Sequence, residues 1–133
     1  MTLTLITVAG ASCYGGPSIV ILSPSAGTVP AGDITIKVRV RGFTISDQLV
    51  KTNVSGEGHL HYFYDFEPPT QPGVPAVAPE GSYAASISTS YNWHAIPAGT
   101  HSFAVELVNN DNTPLQPAVV AAITIAVEQL HEK

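Results

Sequence analysis

The sequence is poor in cysteine, and its only one, Cys13, lies near the amino terminus. No disulfide bond can form within the chain, so a small domain held together by disulfide bonds is excluded. The only methionine is Met1. A blue-copper centre requires a cysteine thiolate on the metal, commonly with a methionine as a further ligand. Since Cys13 and Met1 both lie at the amino terminus, such a centre is not supported.

Charge is also scarce, since charged residues make up 11% of the chain and five Lys or Arg stand against ten Asp or Glu. Nucleic-acid binding needs a broad basic surface, so we expect no nucleic-acid partner. Lys37, Arg39 and Arg41 lie close together, and we interpret them as the solvent face of one strand. No apolar run is long enough to span a bilayer as a helix.

Turn-forming residues are abundant, with eleven Gly and eleven Pro, and no segment has a helical period. Short segments rich in β-branched residues lie between them. In residues 33–41, Ile34, Ile36 and Val38 alternate with polar residues, which predicts a half-exposed antiparallel strand. Further strands are predicted at 18–22, 59–66, 83–91, 100–109 and 117–128. We therefore predict an all-β protein, an immunoglobulin-like antiparallel β-sandwich of about seven strands, at residues 18–128, with a polar tail at 129–133.

The segment 1–17 has several interpretations. Its apolar start followed by small residues and Cys13 is typical of a bacterial lipoprotein signal, with lipidation at Cys13 and a glycine spacer after it. The alternation of Thr and Leu in residues 2–5 also favours a first strand of the domain, or a strand that pairs with a neighbouring subunit. The first interpretation predicts an extracytoplasmic protein, on the cell surface or in the periplasm.

Two histidines, His59 and His61, give the sharpest chemical signal. Residues two apart on a strand share a face, about 7 Å apart along the backbone, so their imidazoles can chelate a transition metal. His94 and His101 flank a turn and are candidates to join them. Antiparallel pairing of residues 59–66 with 100–109 would instead place His101 opposite Asp65 or Phe66, whereas a staggered register would bring it to the cluster. Ordinary polar positions explain the same residues, and His59 and His61 face away from the core if the residues between them face it.

The segment 67–81 contains five prolines, which predicts a long, stiff loop. Residues 109–112 are rich in Asn and Asp. A hairpin turn explains them more simply than a calcium site does. No catalytic constellation is visible, and we expect no enzyme activity.

The segment 58–61, Gly-His-Leu-His, and the segment 97–101, Pro-Ala-Gly-Thr-His, together resemble the DUF4399 type of secreted prokaryotic β-sandwich domain. The resemblance covers roughly residues 18–128. Members of that type carry a richer histidine run where this chain has only His59 and His61. The resemblance implies a β-sandwich fold and a secreted or lipid-anchored location, and it implies no particular activity.

Taken together, these patterns predict an extracytoplasmic domain that binds a transition metal, copper in preference to zinc, through His59, His61, His101 and His94. The alternative hypothesis is a structural or adhesive surface domain without metal. Such a domain would bind a surface protein or assemble with itself through its amino-terminal strand.

Overall fold

The computed structural model describes residues 16–25, 27–47 and 52–129. Within these ranges the protein consists of nine β-strands and contains no helix, and hence none able to cross a membrane. The strands are β1 (Ser18–Ser23), β2 (Thr28–Pro30), β3 (Gly32–Arg41), β4 (Thr44–Ile45), β5 (Glu57–Tyr64), β6 (Tyr83–Ser86), β7 (Ser90–Ile96), β8 (Gly99–Asn109) and β9 (Pro114–Glu128).

The strands form two sheets packed face to face. One sheet has three strands in the order β1-β3-β7, and the other has the order β2-β9-β8-β5-β4, with β6 also paired to β5. Most neighbours are antiparallel, while β2 pairs with β9 and β4 with β5 in parallel. The chain thus leaves the first sheet after β1 and joins the second at β2. This arrangement is an immunoglobulin-like β-sandwich, as the sequence predicted.

The main core lies between the sheets and follows the predicted alternation. Ile34, Ile36 and Val38 of β3 are buried, whereas the residues between them are exposed. The larger sheet contributes the alternate residues of β5 and β8 to the same core. These are Leu60, Tyr62, Phe103, Val105 and Leu107.

Two predicted strands have different bounds in the structure, and each difference has a physical reason. The small-residue segment 83–91 is divided between β6 in the larger sheet and β7 in the smaller one. The predicted last strand begins earlier, at Pro114, because the pairing of β8 with β9 shifts between Leu107 and Val108. Such a β-bulge accommodates extra residues, including Pro117, within one strand.

The larger sheet is also covered on its outer face, by the long connection between β5 and β6. This segment, residues 65–82, is called here the proline loop, and its central five prolines keep it free of strand structure as predicted. A second buried cluster lies beneath it, composed of Phe63, Ala76, Ala104 and Val108. Residues 58–63 of β5 are therefore buried on both faces.

Candidate functional site

The alternation of β5 decides where His59 and His61 point. Leu60 and Tyr62 face the sandwich core, so the two histidines face the outer side of the larger sheet. There the proline loop covers them, and both have an exposed fraction of 0%. The sequence left open which face of the strand the two histidines occupy, and the structure places them on the face away from the core, buried beneath this loop.

His61 fastens the proline loop to the sheet. Its Nδ1–H donates to the carbonyl oxygen of Ala76 across 2.6 Å, and the N–H of Ala76 donates to the carbonyl oxygen of Asn112 across 2.8 Å. The proton on Nδ1 leaves the lone pair of the neutral ring on Nε2. Metal-ligating histidines commonly have this arrangement, in which one ring nitrogen donates to a backbone carbonyl and the other binds the ion.

His59 is held by the side chain of Asn112. Its Nε2–H donates to Oδ1 of Asn112 across 2.8 Å, and the Nε2 atom of His61 lies 3.2 Å from the same oxygen. The centroids of the two imidazole rings are 5.1 Å apart. The lone pair of His59 therefore lies on Nδ1, which is buried and has no partner.

Burial keeps both imidazoles neutral. Removal from water lowers the pKa of His59 and of His61 below 6.5, because a buried positive charge loses its hydration. Neutral imidazole is the form that binds metal ions. At neutral pH each ring thus keeps one nitrogen lone pair.

A buried carboxyl group stands opposite His61 on the same face of the larger sheet. Glu106 of β8 stands directly opposite His61 in the strand register, is fully buried, and neither of its oxygens has a hydrogen-bond partner. Burial raises its pKa to about 7. In the described part of the chain five buried side-chain polar atoms lack a partner, and His59 and Glu106 supply three of them.

His101 lies elsewhere, at the far end of the β5–β8 pair. Tyr64 pairs with Phe103, so His101 is displaced from His61 by about 17 Å along the strands. Its Nδ1 lies 2.7 Å from an oxygen of Asp65, and its Nε2 lies 2.9 Å from the carbonyl oxygen of Pro97. Both ring nitrogens are therefore already engaged.

His94 belongs to the smaller sheet. It lies on β7, its side chain is 74% exposed, and its Nδ1 is 3.2 Å from an oxygen of Asp33. The structure thus brings His59 and His61 together but not His94 or His101. Over residues 16–25, 27–47 and 52–129, no three His, Cys, Asp or Glu side chains are placed to hold one ion jointly. The predicted lipidation site, Cys13, and the predicted amino-terminal strand lie outside the described residues.

Two residues of this cluster were not identified from the sequence. Glu106 is the one charged residue in an otherwise apolar run of β8. A charge on a strand predicted to be buried indicates a candidate functional residue, so Glu106 could have been found from the sequence. Asn112 lies in the Asn- and Asp-rich segment 109–112 that was interpreted as a turn, and its contact with the histidines could not be predicted because it depends on where the β8–β9 turn lies in space.

No protein-family model matches the chain, and no curated protein sequence matches it. Among solved structures, it is similar to the fibronectin(III)-like modules of CbhA from Clostridium thermocellum, with 16% identity, a TM-score of 0.52 and coverage of 89% of this chain. The chain spans about half of that structure, 51% of its length. A second similar structure is the PKD domain of human KIAA0319, with 13% identity, a TM-score of 0.45, and coverage of 89% of this chain and 86% of that one. At this level of identity the similarity to the fibronectin(III)-like modules shows the fold alone, an immunoglobulin-like β-sandwich.

Proposed function

We propose that this protein binds one divalent transition-metal ion, copper in preference to zinc, through His59, His61 and Glu106 beneath the proline loop. The observation that carries the proposal is a set of nitrogen and oxygen atoms on this face that could bind a metal and have no hydrogen-bond partner. The Nδ1 atom of His59 and both oxygens of Glu106 are buried without hydrogen bonds. Buried polar atoms usually have partners, and an ion is one of the partners that explains such exceptions.

The chemical types of these ligands, imidazole and carboxylate, fit a divalent transition-metal ion. Two neutral imidazoles and one carboxylate form a ligand set that zinc uses in proteins, and imidazole also suits copper. A divalent cation beside Glu106 would also offset the cost of burying its negative charge. His61 is already oriented by its bond to Ala76, so its Nε2 lone pair needs no change of tautomer.

Loading the site requires a local rearrangement. In the described conformation the three side chains do not surround a common point, and Asn112 Oδ1 lies against both Nε2 atoms. A rotation of the Glu106 side chain towards the rings would supply the carboxylate, and a shift of Asn112 would free the Nε2 atom of His61, while the Nδ1 atom of His59 already has no partner. Because Asn112 lies in the turn between β8 and β9, its movement does not break the strand pairing.

The test is calorimetric titration of the full-length protein with copper(II) and with zinc(II), in a Cys13→Ser background because a free thiol also binds these ions. We expect one-to-one binding with a Kd of about 1 µM or tighter. The double variant His59→Ala/His61→Ala should lose it. The matched control His94→Ala/His101→Ala removes the same number of imidazoles and should retain it.

Two outcomes contradict the proposal. One is the absence of binding by the parent protein, and the other is an equal loss of affinity in both double variants. Glu106→Gln provides a second test that leaves both histidines in place, and its affinity should fall at least about tenfold, or 1.4 kcal/mol. A protein that binds neither metal would be better described as a structural or adhesive domain.

A further inference from the structure

The outer face of the smaller sheet carries a line of positive charge. Lys37, Arg39 and Arg41 alternate along β3 with buried residues, so all three point to solvent, and all three are exposed. Successive members are about 7 Å apart along the strand. They are three of only five Lys and Arg residues in a chain whose net charge is −5.

The surroundings of these three cations contain no acidic side chain paired with them among residues 16–25, 27–47 and 52–129. None of the three has an ion pair with a residue in the described part of the chain. The residue opposite Lys37 on β7 is the uncharged Ser90. The nearest acidic residue on the same face of β3, Asp33, has its two oxygens bonded to His94 and to the N–H of Ala95.

Two aliphatic side chains lie on the neighbouring strand. Val20 of β1 pairs directly with Arg39, and Leu22 occupies the position where the pairing of β1 with β3 shifts. Val20 is 45% exposed and Leu22 is 50% exposed. The face therefore combines a row of cations with two exposed apolar side chains at its edge.

We propose that this face, formed by β1 and β3, docks on the surface of an anionic lipid bilayer. Each Lys or Arg close to such a surface is attracted by the negative charge of the headgroups. The aliphatic side chains can enter the boundary between headgroups and acyl chains. This apolar edge favours a lipid surface over a soluble anionic polymer, which would contact the cations alone. The proposal is independent of the metal site, which lies on the opposite sheet.

For a free protein the contact of three cations with such a surface is modest and is strongest at low ionic strength. It becomes substantial when the domain is already held near the membrane, because tethering raises the effective concentration. Lipidation of Cys13, expected from the sequence, would place an anchor five residues before β1. The face would then determine how the domain is oriented on the membrane.

The test is co-sedimentation of the full-length, unlipidated protein with vesicles that contain about 40% phosphatidylglycerol in phosphatidylcholine, at low ionic strength. Vesicles of phosphatidylcholine alone are the lipid control. We expect binding to the anionic vesicles only, with loss of binding when salt is raised to about 0.5 M. Arg39→Glu/Arg41→Glu should abolish it, and Val20→Ser/Leu22→Ser should reduce it severalfold.

The matched control is Lys51→Glu/Lys133→Glu, which reverses the other two cations of the chain and lowers the net charge by the same amount. This control should retain most of the parent protein's binding to anionic vesicles, unlike Arg39→Glu/Arg41→Glu. Equal loss in both charge-reversal variants would show an effect of net charge and overturn the proposal. Absence of binding to the anionic vesicles at low ionic strength, binding to neutral vesicles, or binding to a soluble anionic polysaccharide but not to vesicles would overturn it as well.

Discussion

His59 and Asn112 are 53 positions apart in the sequence, yet Nε2–H of His59 donates to Oδ1 of Asn112 across 2.8 Å. This bond joins β5 to the turn between β8 and β9. The backbone of the same turn residue accepts a bond from Ala76 of the proline loop. Asn112 therefore links three segments that lie far apart in sequence, and the buried polar cluster is built around it.

The bond between His61 and Ala76 should hold the proline loop closed. His61→Ala removes the donor, leaves the Ala76 carbonyl without a partner, and creates a cavity. We expect the free energy of unfolding to fall by about 2–4 kcal/mol, as measured by urea denaturation. His94→Ala, an exposed position, should change it by less than about 0.5 kcal/mol. Limited proteolysis should cut the loop of the His61 variant first, and an intact loop would contradict this role.

Glu106 should make the protein less stable as the pH rises. Burial raises its pKa from 4.5 to about 7, so the folded state holds this proton more tightly than the unfolded state does. The stability that this protonated carboxyl contributes to the folded state is fully present below pH 4.5 and is lost as the pH rises through about 7. Glu106→Gln, which cannot ionise, should therefore be more stable than the parent at pH 8 by about 2 kcal/mol. Thermal melts across this range would show a flatter profile, and an unchanged profile would contradict the assignment.

The two buried histidines should act in the opposite direction. Their pKa values are lowered below 6.5 by burial, so protonation favours the unfolded state. The stability they contribute is present above pH 6.5 and is lost as the pH falls through their folded-state pKa values. Because this window overlaps that of Glu106, it is best measured in the Glu106→Gln background. There the Tm should fall with acidification below pH 6.5, and adding His59→Gln should reduce the fall.

Gly58 should tolerate no side chain. A Cβ at this position would lie 1.9 Å from the carbonyl oxygen of Val108 and 2.9 Å from the ring of Phe43. The first of these contacts is to backbone, so β5 and β8 would have to separate next to His59. We expect Gly58→Ala to lower the free energy of unfolding by about 3 kcal/mol. Gly16→Ala, where a Cβ meets nothing within 4 Å, is the control and should be close to neutral.

Much of the fold was predictable because it depends on local patterns. The alternation in β3 identified the buried Ile34, Ile36 and Val38. The proline content of residues 67–81 identified a loop, since proline cannot donate to a sheet ladder. The division of residues 83–91 between two sheets was not predictable, because both pieces have small residues and pair with different strands. That choice depends on partners far away in sequence.

The histidines illustrate the same limit. Spacing correctly placed His59 and His61 on one face, because the alternation of a strand is local. The antiparallel pairing of the two strands predicted that His101 lies opposite Asp65 or Phe66, as observed, but spacing could not exclude a staggered register that brings His101 to His59. Nor could it show that Glu106 stands opposite His61, because this contact joins two strands that are distant along the chain.

The sequence by itself determined that the chain is all-β, which segments alternate, and that His59 and His61 share a face. Only the tertiary structure decided that this face is buried, because the proline loop folds over it and Asn112 reaches it from another turn. The physical reason is the range of the forces involved. Strand alternation and turn formation depend on neighbouring residues, whereas burial and hydrogen bonding of a polar side chain depend on whichever segments pack against it.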